Sequence, residues 1–357
     1  MSSCKHLQWL EITGRKDDWT LLDPDRLKSI EDLLPDPTRQ TPVLTIFLGK
    51  SRKDSAIQAV FPQNNIDRRH SHGIANLFVD GSSKDNDSPW LIADCTLNAR
   101  VVTPPGAHST CHDSRRLLIN YGESSTAVSR ATVVVHLQTN LLTPLAHVVC
   151  LFAEDFGGNK ACRDYIEQLV SSQHQTSSQR LVTGPQLVVV SEDPSTIDVF
   201  VQLECETEFS VVFETLNVVT VDACAPPNLT AQKLQRILRE TAKASQIIRS
   251  ESHMLLTAYH MRRIFHHGVR LFAASPGRGL DILSSADHPA ASLSTAFSTH
   301  LKAFVRQSQS LGFERTMVVE LLASALLDQG YPEFWHRTNY ARWCKTNTDT
   351  VQDSHHI

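Results

Sequence analysis

The sequence predicts an α/β domain with a mainly parallel sheet flanked by helices, followed by an α-helical domain. Three observations carry this. Short, continuous Val/Leu/Ile runs recur between polar stretches up to about residue 225. Such runs suit strands buried on both faces, which is the habit of parallel sheets. Helical spacings lie between several of the runs, and beyond "CAPPN" only amphipathic helical spacings remain.

Residues 1–40 read as an N-terminal segment. The strand expectations are "VLTIFL" (43–48), "PWLIADC" (89–95), "HVVCLFA" (147–153), "QLVVVSE" (186–192) and "LNVVTVD" (216–222). Helices are expected over 53–61, over 157–170 after "FGGN", and over 195–204. The stretch "ATVVVHLQTNLLTPLA" (131–146) is ambiguous, because its valines favour strand while its leucine spacing favours helix. Residues 229–249, 252–273, 292–310 and 312–329 follow as amphipathic helices, Leu234, Ile237, Leu238 and Ile248 forming a stripe on the first. The resulting plan is an α/β domain over 41–225, an α-helical domain over 226–345 and a disordered tail over 346–357. Polar stretches at 80–88, 103–116 and 171–180 read as mobile loops.

Composition narrows the function classes. The chain has 357 residues and a formal net charge of −4, so no overall basic field points to nucleic acid. Its eight cysteines form no CxxC pair and several lie in apolar runs, as expected of reduced, buried thiols in an intracellular protein. The N-terminus lacks an apolar signal region. No apolar run approaches the roughly 18 residues of a membrane span. A cytoplasmic protein without a transmembrane segment is the expectation.

The first apolar run leads into "LGKSRKDSAI". A strand followed by a Gly-Lys-Ser turn and a helix is the outline of a phosphate-binding P-loop, in which bare amides wrap phosphates, a lysine neutralises them and a hydroxyl holds Mg²⁺. Gly49 fits the entry glycine; Lys50, Ser51 and Lys53 are the remaining candidates for nucleotide contacts. The full motif is not there: with the loop shortened by two residues, Lys53 takes the lysine place and Asp54 the hydroxyl place. A carboxylate beside phosphate repels it unless a cation intervenes. "WLIADC" ends in Asp94, the type of residue that reaches Mg²⁺ through water beside a P-loop. The plain alternative is a strand-to-helix turn with no ligand, and Mg-nucleotide is the one cofactor the pattern suggests.

Other clusters are weaker. His70, His72, His108, Cys111 and His112 lie in polar loops at spacings that match no zinc frame, so no metal site is assigned. "YHMRRIFHHGVR" gathers Arg262, Arg263 and Arg270 on one helix, which suits either an anionic lipid surface or the charged outer side of a packed helix. No G-x-S-x-G elbow, dinucleotide fingerprint, H-E-x-x-H helix or kinase set occurs, and no catalytic residue is assigned.

The order "TIFLGKSRKDSAI", "GIANLFVDGSSKDNDSPWLIADC", "LLTPLAHVVCLFAEDFGGNKACRDYIEQL" and "PQLVVVSED", then "HMRRIFHHGVRLFAASPGRGLDIL", "FSTHLKAFV" and "VVELLASALLDQGYPEFW", resembles the N-terminal half of large fungal patatin-like phospholipase proteins. The resemblance spans roughly residues 40–335. It implies a P-loop-NTPase-like domain followed by a helical region. The family's loop carries Gly-Lys-Ser/Thr where this chain has Arg52, Lys53 and Asp54, and its Asp-Cys-Glu-Gly element becomes Asp94-Cys95-Thr96-Leu97. The family's acyl-hydrolase half and the cysteine-rich segment before it have no counterpart in these residues. The expectation is therefore a non-catalytic relative of the regulatory half, with a protein partner such as a phospholipase-type relative. Two alternatives stand beside it: a weak NTPase using Gly49, Lys50 or Lys53, Ser51 and Asp94, and an accessory protein of a fungal specialised-metabolite or lipid pathway.

Overall fold

The computed structural model describes residues 7–15, 18–62, 73–97, 115–122, 128–174, 183–204, 208–222, 224–252, 254–280, 282, 295–310, 313 and 318–319. In chain order these form β1 (Gln8–Arg15), β2 (Asp18–Asp23), α1 (Arg26–Glu31), β3 (Val43–Gly49), α2 (Ser51–Val60), β4 (Ala75–Val79), β5 (Trp90–Thr96) and β6 (Arg115–Leu118). Then come α3 (Arg130–Leu137), a π turn (Gln138–Leu142), a 3₁₀ turn (Thr143–Leu145), β7 (Val148–Phe152), α4 (Ala153–Phe156) and α5 (Asn159–His174). The remainder is β8 (Gln186–Ser191), α6 (Thr196–Glu204), α7 (Phe209–Val212), β9 (Leu216–Thr220), α8 (Pro227–Glu251), α9 (Ala258–Ala274) and α10 (Thr295–Ser310). The chain divides into two compact units, one of residues 1–249 and 255–286 and the other of 250–254 and 287–357.

The nine strands make one mixed sheet in the order β6-β2-β1-β4-β5-β3-β7-β8-β9. All five apolar runs become strands and lie side by side. β3 pairs in parallel with β5 and β7, β7 with β8, and β8 with β9. Every residue of β3, β7 and β8 is buried, which is why these strands read as unbroken apolar runs. The expectation of a mainly parallel sheet needs correction, because β4, β1, β2 and β6 extend it through four antiparallel pairings. β2 alternates buried and more open positions and β6 is partly exposed along its length, so no continuous apolar run announces them, while β4, though nearly all buried, is only five residues long. Residues 8–23, expected as a segment before the α/β domain, thus supply two strands of the sheet. Gly14 closes β1 against β2 with φ +112°, where a Cβ would strike the Asp18 carbonyl oxygen.

One face of the sheet is packed by Ile57 and Val60 of α2 and by Leu234, Leu238 and Ala242 of α8, which meet Phe47, Ile92, Cys150, Val188 and Val219. The ambiguous stretch 131–146 is helical as far as Leu145, passing from α through π to 3₁₀, and turns extended at Ala146. Thr143 Oγ1 bonds the Gln138 carbonyl at 2.7 Å within that irregular part, and Pro144 sits in its final turn. The change of character near residue 225 marks where strands give way to helices, while the first compact unit continues through α9. The expected helices at 229–249, 252–273 and 292–310 correspond to α8, α9 and α10. Most of 312–329, all of the 346–357 tail and most of the 103–116 loop lie outside the described residues.

Two buried histidines tie the packing to pH. His147, just before β7, accepts the Leu44 N–H on Nδ1 at 3.2 Å. Burial, with the Arg249 charge beside it, holds this imidazole well below the ordinary histidine range. Burial and then the Arg263 charge bring His260 down to about 4. Both rings are neutral in the fold at pH 7, whereas in the unfolded chain they take up protons near the ordinary value of 6.5. Below that value the unfolded state binds more protons, so stability is lost as pH falls from 6.5 towards 4. Urea midpoints measured at pH 7 and pH 5 should drop accordingly, and His147→Gln should flatten the dependence. A midpoint unchanged between the two would contradict this assignment.

Candidate functional site

The sequence candidates Gly49, Lys50, Ser51, Lys53 and Asp94 come together at the carboxyl ends of β3 and β5. Parallel pairing sets Gly49 beside Thr96 and Phe47 beside Asp94. Ligand sites in α/β sheets gather at such ends, where the chain leaves a strand and opens a helix. Helix α2 begins directly after Lys50, and its first amides have no partner inside the helix.

Those amides are taken by a side chain that sequence reasoning missed. Asp155, on α4 at the end of the neighbouring strand β7, places its carboxylate over the turn. Oδ2 accepts the Lys50 N–H at 2.6 Å and the Lys53 N–H at 2.9 Å, and Oδ1 accepts the Arg52 N–H at 3.0 Å. A carboxylate here satisfies orphan donors and complements the positive end of the helix dipole. Gly49 is required by this arrangement. A Cβ on it would fall 2.5 Å from Asp155 Oδ2 and 2.9 Å from Lys53 Cβ.

Lys53 turns inward and is 1% exposed. Its ammonium bonds the Asp94 carboxylate, the Cys95 carbonyl at 3.2 Å and, as an ion pair, Asp54 at 3.4 Å. Asp94 is itself buried at 7% exposure. Lys50, Ser51 and Arg52 are exposed, and Arg52 pairs with Glu192 at 3.0 Å. Glu154, adjacent to Asp155, secures the next strand end by accepting from Ser191 Oγ at 2.8 Å and from the Glu192 N–H at 2.7 Å. The four-residue helix α4 therefore clasps the ends of β3 and β8 through two consecutive carboxylates. The one available sequence signal was the acidic pair closing the apolar run "VVCLFAED", the same kind of signal that singled out Asp94.

Behind the turn lies a buried polar group. Tyr165 donates to Gln138 Oε1, and Gln138 reaches the Thr96 carbonyl at 3.5 Å. Burial raises the Tyr165 hydroxyl above its ordinary range and pushes the Cys95 thiol up to about 12, so Cys95 is no thiolate nucleophile. Among the described residues no group of three or more His, Cys, Asp or Glu side chains is placed to hold a metal. His70, His72, His108, Cys111 and His112 lie outside the described residues.

The basic helix segment is divided. Arg262 faces inward, forking onto Asp25 at 3.2 and 3.0 Å and reaching Glu31 at 3.1 Å. His266 Nε2 lies 2.8 Å from the same Asp25. Burial opposes ionisation of Asp25, but the Arg262 hydrogen bonds and the His266 interaction outweigh it and hold the carboxyl below its usual range. Arg263 stands over the Tyr259 ring at 5.2 Å, and Arg270 is exposed. Of the three arginines, Arg262 serves to dock α9 against α1 and the β2 corner.

No family model matches the chain. No curated protein matches it either. Among the described residues no helix is long and apolar enough to cross a membrane.

Proposed function

We propose that this chain is a non-catalytic, P-loop-NTPase-like protein that acts as a regulatory or protein-interaction partner, related to the N-terminal half of fungal patatin-like phospholipases. The observation that carries the first part is the engaged turn. Three amides placed to wrap a phosphate are bonded to Asp155, and the lysine placed to neutralise it is buried against Asp94. A triphosphate would meet a fixed carboxylate, and the ammonium of Lys53 would have to leave its buried partner Asp94 to reach it, which is repulsive and costs desolvation. The strand order supports the fold part of the reading, with a glycine turn on a central parallel strand and an acidic end on its neighbour. The partner class, a phospholipase-type relative, rests on the resemblance of the sequence segments.

Isothermal titration of the whole chain with Mg-ATP and with Mg-GTP tests the reading. No heat of binding is expected up to millimolar nucleotide. Micromolar binding of either nucleotide by the native chain would overturn it in favour of a variant nucleotide-binding site.

A further inference from the structure

We infer that the outer edge of β9 is a docking site for an extended, basic segment of a partner protein, which adds to the sheet as a further strand. This rests on the protein-interaction reading above and supplies its surface and the chemistry of its partner.

β9 ends the sheet order, with β8 on one side and no strand on the other among the described residues. Successive residues of a strand turn their peptide groups to alternate sides. The Val221 N–H donates to the Ser191 carbonyl and the Thr215 carbonyl accepts from the Leu187 N–H, both at 2.9 Å, so the odd-numbered residues face β8. Leu216, Val218 and Thr220 therefore face outward. Two side chains already meet that edge at the exposed surface: Glu204 Oε1 accepts the Leu216 N–H at 3.1 Å, and Lys233 Nζ donates to the Thr220 carbonyl at 2.6 Å. Between these two caps, the N–H and carbonyl of Val218 pair with no strand among the described residues. Such an edge is a template for another strand.

The caps also locate what borders the edge. Glu204 closes α6, and Val201 and Ile197 lie one and two turns before it on the same side of the helix, 52% and 50% exposed. Lys233 is on α8, where Leu229 lies one turn before it and is 59% exposed. A strand laid on β9 would cover these apolar side chains with its own.

Charge names the occupant. Residues 181–232, which build β8, α6, α7, β9 and the start of α8, hold eight Asp or Glu and no Lys, Arg or His, in a chain whose net charge is only −4. Asp198, Glu204, Glu208 and Asp222 are exposed. The bases that reach in from other elements are engaged: Arg52 with Glu192 at 3.0 Å, Arg163 with Glu167 at 2.7 Å, and Lys233 on β9 itself. A negative edge with apolar borders fits a segment in which Lys or Arg alternates with apolar residues. The opposite edge, β6, carries Arg115 and Arg116, but Arg115 is drawn to Asp25 at 3.6 Å, and a β6-to-β9 contact between copies is head-to-tail rather than self-complementary.

The probe is a labelled, end-blocked peptide of alternating lysine and valine, about seven residues long as a short strand is. Fluorescence anisotropy against the native chain should show saturable binding. Exchanging the lysines for glutamate, or methylating alternate amide nitrogens of the peptide, should each weaken it at least about tenfold. Val218→Pro removes an outward N–H while sparing the β8 ladder, and should weaken binding about tenfold. Absence of saturable binding, or equal binding of the lysine and glutamate peptides, overturns the inference. Binding that tolerates both amide methylation and Val218→Pro puts the peptide elsewhere and overturns it too. Should Val218→Pro not fold, the double variant Ile197→Lys with Val201→Lys decides, since both positions are exposed. It should weaken binding about tenfold, and a titration equal to native is again fatal. Sedimentation of the native chain alone should show no association that Val218→Pro reverses; if it does, a second copy is the occupant and the inference falls. All of these failures leave the proposed function standing, because that reading is struck by nucleotide binding instead.

Discussion

Lys53→Ala is expected to destabilise the fold by about 3–5 kcal/mol, the usual consequence of stranding a buried charge by removing its partner. Lys53 is 1% exposed and Asp94 7%, so water screens the pair little. The ammonium also satisfies the Cys95 carbonyl at 3.2 Å, which would lose that donor. Chemical unfolding of both proteins at pH 7 gives the difference directly. The double variant Lys53→Met with Asp94→Leu should recover most of the loss, because it removes both charges and retains volume. A single-variant loss below about 1 kcal/mol would place the pair among ordinary exposed ion pairs and remove the argument that this lysine is committed to the interior. The prediction also separates structure from nucleotide chemistry. A lysine kept for phosphate would be dispensable to folding.

Arg249→Ala is expected to cost a similar amount, about 3–5 kcal/mol. Arg249, in the last turn of α8, is buried, and burial brings its guanidinium down to about 10, still charged at neutral pH. It donates to the carbonyls of Leu145 and Pro144, both at 3.3 Å, and to that of Ala146. Those carbonyls close the helical run that begins at Arg130, where no later turn supplies their donors. Truncation therefore leaves buried acceptors unpaired and opens a cavity together. Arg249→Met restores much of the volume but none of the bonds, and Arg249→Lys offers one ammonium where a planar fork is needed. Thermal unfolding should rank native above Lys and Met, with Ala lowest. A Met variant as stable as native would show that packing alone, not carbonyl capping, is what Arg249 supplies.

The central parallel strands were legible because strands buried on both faces carry nearly continuous apolar runs, and "VLTIFLG", "WLIADCT" and "QLVVVS" needed no pattern finer than that. The antiparallel half was not. In β2 one face is partly open and the residues alternate, so Trp19 and Leu21 are separated by Thr20, and in β1 the buried Trp9, Leu10 and Ile12 are set among Gln8, Glu11 and Thr13. Trp9 and Trp19 are nonetheless buried in the first compact unit. The candidate site was half legible for a related reason. Gly49, Lys53 and Asp94 are local signals at strand ends, each visible within a few residues of its own run. Asp155 acts on amides more than a hundred positions earlier, a pairing created only when β7 lies down beside β3.

By itself the sequence determined that this chain builds a buried parallel sheet, that a glycine turn leaves its first apolar strand, and that the turn lacks the residues of an intact P-loop. These follow from short-range periodicity and residue type. Tertiary structure alone decided what the turn does with its bare amides, where Lys53 points, and which arginine of the α9 segment is consumed in docking. The reason is physical: backbone donors and buried charges must find partners in three dimensions, and here those partners come from strands and helices distant in the chain.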